Sequence, residues 1–60
     1  RYLAFLRERM GAAVEEFLPF SEAYEAIDWS EFEDLPAFAE ANRRNAYQVY
    51  LSMEAEALDN

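Results

Sequence analysis

Carboxylates are the one abundant reactive group in this sequence: thirteen Asp and Glu stand against five basic residues, all Arg, for a formal net charge of −8. The chemistry open to such a set is paired-carboxylate acid–base catalysis or the binding of a hard divalent cation. The densest run is Asp28, Glu31, Glu33 and Asp34. It lacks the ligand spacing and the turn-making Gly of an EF-hand loop, so helix capping and solvation are assigned to it and no metal ligand is expected. Ser21, Ser30 and Ser52 have no His or Lys anywhere in the chain to activate them as nucleophiles. The lack of His and Cys also excludes zinc-finger spacings, His-centred triads, Glu-x-x-His di-iron bundles, CxxC redox pairs and disulfides. Tyr47 and Tyr50 beside Arg43 and Arg44 offer an anion pocket as one alternative. Core packing of the tyrosines, with Glu40 reaching Arg44 at i,i+4, is the simpler one. No catalytic and no cofactor-binding residue is expected, and the chain by itself is read as non-enzymatic.

Size and composition bound the rest. A chain of 60 residues buries only about 60% of the surface its unfolded form exposes, so its core is marginal without a disulfide, a metal or a partner. With 53% hydrophobic residues and 17% aromatic ones it is nonetheless far too apolar for charge-driven disorder. A chain of net charge −8 repels phosphate backbones, and the pairs Arg7/Arg9 and Arg43/Arg44 have no aromatic stacking pattern between them, so neither nucleic acid nor membrane is expected as a partner. A mimic of nucleic acid is the other use of an acidic surface; a solvated face is the plainer one. No stretch reads as a signal peptide, which leaves the compartment unassigned, and Arg1 in place of Met reads as a trimmed or excised chain.

The elements follow from periodicity. Over 2–18, Tyr2, Leu3, Leu6, Met10, Ala13, Val14 and Phe17 share an arc of roughly 120°, which predicts an amphipathic helix with Phe5 left on its polar side as the sign of a second contact surface. Gly11, also on that polar side, is read as a tolerated interruption. Pro19 is expected to stop the helix. Ser21 is the expected N-cap of a short helix over 22–27, with Ala23, Tyr24 and Ile27 inward. Ser30 and Glu33 fit a capping box, and Trp29 and Phe32 plug the base of the core. Pro36 opens a further helix over 35–42, capped by Asp34. On a continuous wheel Arg43 falls inside the apolar face, so a break is placed near Asn42 to Asn45, followed by a last helix over 45–58. The apolar arc of that helix spans roughly 200°, wider than one packing partner needs, and predicts cover on two sides. The fold class expected is all-α: a small bundle of three to four helices with short Pro-containing connections, forming one unit over 1–60.

Two stretches carry a resemblance. Tyr2-Leu3-x-x-Leu6-Arg7-x-Arg9-Met10, followed by Ser21-Glu22-Ala23-Tyr24 with Ile27-Asp28, is one. Asn42-Arg43-Arg44-Asn45-Ala46-Tyr47-x-Val49-Tyr50, ending in Met53-Glu54, is the other. Together they resemble the helical C-terminal tail of metallo-β-lactamase-fold metallohydrolases, in particular the SoxH-like and quinoprotein-relay members. The turn Glu15-Glu16-Phe17-Leu18-Pro19-Phe20 is apolar where those tails carry a Gly-containing polar stretch. The resemblance implies a segment that packs on the hydrolase domain or on a second subunit and walls one side of a substrate cleft. Zinc is implied only for the parent hydrolase, whose His and Asp ligands have no counterpart here.

The role expected is therefore that of a non-catalytic helical packing segment, with the parent hydrolase domain as partner. The alternative is an autonomous acidic module forming a homodimer. Phe5, Tyr47, Tyr50, Leu51 and Leu58 are the candidate interface.

Overall fold

The computed structural model describes residues 1–58. Among these, three helices and no strand are present: α1 (Tyr2–Glu15), α2 (Phe20–Ala26) and α3 (Phe38–Leu58). The helix α3 is the spine, since its 21 residues at 1.5 Å each run about 31 Å along a molecule 36 Å long and 18 × 17 Å across. Helix α1 lies mainly against α3, and the short α2 bridges the two. The core is Leu6, Met10, Ala13, Ala23 and Ala46, small side chains at the crossings and two long ones filling the space between. Leu6, Met10 and Ala13 are the i, i+4, i+7 members of the stripe expected on α1.

Helix α1 ends three residues before the expected boundary, and Pro19 is not what ends it. The Leu18 amide donates to the Ala13 carbonyl at 2.9 Å and the Phe17 amide to Val14 at 3.1 Å, the paired bonds of a Schellman ending. That ending requires a left-handed residue, and Phe17 supplies it at φ 59°. Pro19 instead caps α2, with φ −61° and ψ 150°. The α2 helix accordingly begins at Phe20 with no side-chain cap, so Ser21 lies inside the helix rather than at its cap, and the element spans Phe20–Ala26 in place of 22–27.

The expected break near Asn42 to Asn45 is absent: 35–42 and 45–58 are not two helices, and α3 runs unbroken from Phe38 to Leu58. Arg43, which argued for the break, and Asn42, where it was expected to begin, both have partners across the bundle. Asn42 is 1% exposed; its side-chain Nδ2 donates to the Tyr24 hydroxyl at 3.0 Å, while its Oδ1 accepts from the Tyr2 hydroxyl. The Arg43 guanidinium lies 5.2 Å from the centre of the Phe20 ring and 5.1 Å from that of Tyr24, within the range at which a ring face attracts a cation. The helix also starts later than expected, because Ala37 takes a left-handed φ of 62° just before it.

The connection from α2 to α3 is closed by aromatic rings. Phe32 is buried against Tyr2 and Phe5, and Trp29 stacks edgewise on Phe5 and Phe38 while its indole N–H donates to the Tyr24 carbonyl at 3.2 Å. In place of a Ser30–Glu33 capping box, Asp28 Oδ1 accepts the Ser30 amide at 3.0 Å, an Asx turn. Gly11 also departs from expectation. It faces α3, and a Cβ built there would stand 3.0 Å from the Met53 methyl.

Candidate docking surface

The acidic residues of the Asp28 to Asp34 run do not converge. Asp28 is committed to Ser30, whose backbone and then side-chain hydrogen bonds hold its carboxyl below the ordinary range despite a small opposing effect of desolvation. Glu31 pairs with Arg1. Among the described residues no group of three or more Asp or Glu is placed to hold a metal ion. Ser21, Ser30 and Ser52 lie on exposed positions along the chain.

The five expected interface residues divide. Phe5 is half-buried in the chain's own aromatic cluster, 4.9 Å from Phe32 and 5.8 Å from Trp29 between ring centres, with Arg9 across its face at 5.1 Å. Its ring packs within the chain's own aromatic cluster. Tyr47 and Leu51, one turn apart on α3, are 45% and 39% exposed. Tyr50 is partly buried and anchored, its hydroxyl donating to the Leu18 carbonyl at 2.8 Å. Leu58 is 83% exposed at the end of α3.

A sixth residue, assigned by periodicity to the buried stripe of α1, belongs with them. Phe17 is 92% exposed. The Schellman turn swings it off the helix axis, so a wheel drawn through 2–18 misplaces it. The signal in the sequence was the absence of Gly at the end of α1, where a left-handed residue is normally required. Holding a bulky L-residue there costs roughly 1–2 kcal/mol. Such a residue, turned out to solvent, is a strained position.

Phe17, Tyr50 and Leu58 share one concavity. Val14 at the end of α1, Phe17 and Pro19 in the turn, and Tyr50, Ala57 and Leu58 on α3 line a groove between the two helices. Glu15 and Glu54 also line it. Tyr50, Glu54, Ala57 and Leu58 are spaced i, i+4, i+7 and i+8, one face of α3 over two turns. The lining is mostly apolar, with Glu15 and Glu54 as its two charged members, and among the described residues no basic side chain lines it.

The other concavities add no chemistry. Phe20, Glu40, Arg43, Arg44 and Tyr47 surround an open depression beside the first; the stacking of Arg43 on Phe20 and Tyr24 fixes that cation as part of the fold. No helix of the described residues is long and apolar enough to cross a membrane. Comparison with family models, with curated proteins and with solved structures returns no match.

Proposed function

We propose that this chain is a non-catalytic helical docking segment, an accessory piece whose α1–α3 groove lies against another protein surface. The observation that carries the reading is Phe17, 92% exposed and held at positive φ, next to Leu58 at 83% exposure. Two large apolar side chains turned to water beside an apolar groove are the form of an uncovered contact.

The surface we assign to it is the parent domain of a metallo-β-lactamase-fold zinc hydrolase. The support is the sequence resemblance, together with the place of the left-handed residue. Phe17 falls in the turn where those tails carry a Gly-containing stretch, and a Gly is what this φ favours. In that setting zinc belongs to the parent domain and the tail supplies only a wall. A second reading, the homodimer, is favoured by Tyr47 and Leu51, which extend the apolar surface of α3 beyond the groove.

A far-UV circular dichroism melt of the chain over about a hundredfold range of concentration separates the two. Docking on a parent predicts a broad transition with a midpoint independent of concentration. A sharp midpoint that climbs with concentration would replace this reading with self-association.

A further inference from the structure

The charge around the groove names the chemistry of what fills it. Glu15 and Glu54 line the groove among its apolar residues, and among the described residues neither has an ion-pair partner within 4.0 Å. No arginine lines the groove. Four of the five cations have partners elsewhere: Arg1 with Glu31, Arg7 with Glu56, Arg9 over Phe5, and Arg43 over Phe20 and Tyr24; the fifth, Arg44, lines the separate depression with Glu40 and Tyr47. A second copy of the chain would bring another charge of −8 to the contact. A two-fold contact that laid the groove against its own copy would also bring Glu15 and Glu54 close to their counterparts, an arrangement that like-charge repulsion opposes.

The shape names the rest. The α3 wall offers side chains from Tyr50 to Leu58, eight steps or about 12 Å of helix axis. That is long enough for the seven steps, about 10.5 Å, between the first and last anchors of an i, i+3, i+4, i+7 stripe. Among the described residues there is no strand edge to accept an extended peptide. We propose, resting on the docking reading above, that the groove takes a basic amphipathic helix. Its apolar stripe sits on Val14, Phe17, Tyr50 and Leu58, and its Arg or Lys side chains flank the stripe to meet Glu15 and Glu54.

The test is fluorescence anisotropy of the full chain with three labelled probes. The first is a helical peptide of about 18 residues with Leu at i, i+3, i+4 and i+7 flanked by Arg. The second carries Glu in place of Arg. The third is a scramble of the first that has no apolar stripe. The Arg probe should bind at least tenfold more tightly than either of the others, with an advantage that shrinks as salt is raised from about 20 mM to about 500 mM. The double variant Glu15→Gln/Glu54→Gln should bind the Arg and Glu probes alike. Phe17→Gly and Leu58→Ser, both at exposed positions, should weaken the Arg probe at least tenfold while the helical spectrum is kept.

Equal binding of the Arg and Glu probes by the native chain would overturn the charge assignment and leave the docking reading standing. Equal binding of the scramble would mean attraction without a groove, and a charge preference surviving the double variant would put the cation site elsewhere; either overturns the proposal. Binding of none of the probes, by a chain that melts sharply as a monomer, would remove the docking reading itself.

Discussion

The side-chain amide of Asn42 donates to the Tyr24 hydroxyl at 3.0 Å, and it does so from the buried face of α3. The same amide accepts from Tyr2, which lies 40 residues away in sequence. One residue thus ties all three helices through two directional contacts.

An Asn on an exposed helix surface gains about 0.5 kcal/mol when replaced by Ala, from helix propensity. At position 42 the sign should reverse. Asn42→Ala should lower the unfolding free energy by about 1–3 kcal/mol, because two partly buried hydroxyls lose their partner. Tyr2→Phe should cost about 1 kcal/mol. Urea denaturation followed by circular dichroism measures both, and an unchanged or higher midpoint for Asn42→Ala would show that the bridge does not form in solution.

The two left-handed residues, Phe17 at φ 59° and Ala37 at φ 62°, should each be relieved by Gly. Phe17→Gly and Ala37→Gly should raise stability by about 0.5–1 kcal/mol, the strain recovered less the added freedom of the unfolded chain. Thermal melts check this, and a fall in both midpoints would mean that these backbone conformations are not adopted.

Much of the fold was legible because local pattern and tertiary packing agreed. The stripe Leu6, Met10, Ala13 on α1 is the core, and Ala23 faces inward on α2 as expected. What was not legible depended on partners far along the chain. Arg43 read as a polar intrusion that should break α3, with Asn42 at the start of the break, but each is satisfied by aromatic side chains of the other helices, and no periodicity within α3 carries that information. Pro19 read as the terminator of α1, whereas a hydrogen-bonded turn had already closed the helix at Glu15. On the wide apolar arc of α3, Tyr47, Leu51 and Leu58 are exposed; the exposure of Phe17 is the feature the spacing misplaced, because helical spacing continued past the helix end places it inward.

Gly11 sits where α1 crosses α3, and the nearest atom to an added Cβ is the end of the flexible Met53 side chain, at 3.0 Å. A thioether methyl can turn aside, so the helix-propensity gain should win. Gly11→Ala should stabilise the chain by about 0.5–1 kcal/mol. If Met53 cannot move, the melt will shift down instead, and Gly11→Ala/Met53→Ala would then recover part of the loss.

The Asp28 carboxyl is held below its ordinary value of 3.8 by its hydrogen bonds from Ser30. The folded state therefore binds its proton less readily than the unfolded one. The stability it contributes is present above the ordinary value and is lost as pH falls through the depressed one. The gap in stability between the native chain and Asp28→Ala should accordingly be largest near neutral pH and close below about pH 4. Denaturation of both proteins across that range checks the sign; a gap that widens in acid would contradict it.

The central claim is that Phe17 is kept strained and exposed because it makes a contact. The affinity of Phe17→Gly for the Arg-flanked amphipathic probe, set beside that of Ala37→Gly, tests this most directly. Both variants relieve a left-handed residue, and only one removes an anchor. The account predicts that Phe17→Gly is more stable than the native chain yet binds at least tenfold more weakly, while Ala37→Gly binds as the native chain does. An affinity for Phe17→Gly equal to the native one would contradict it.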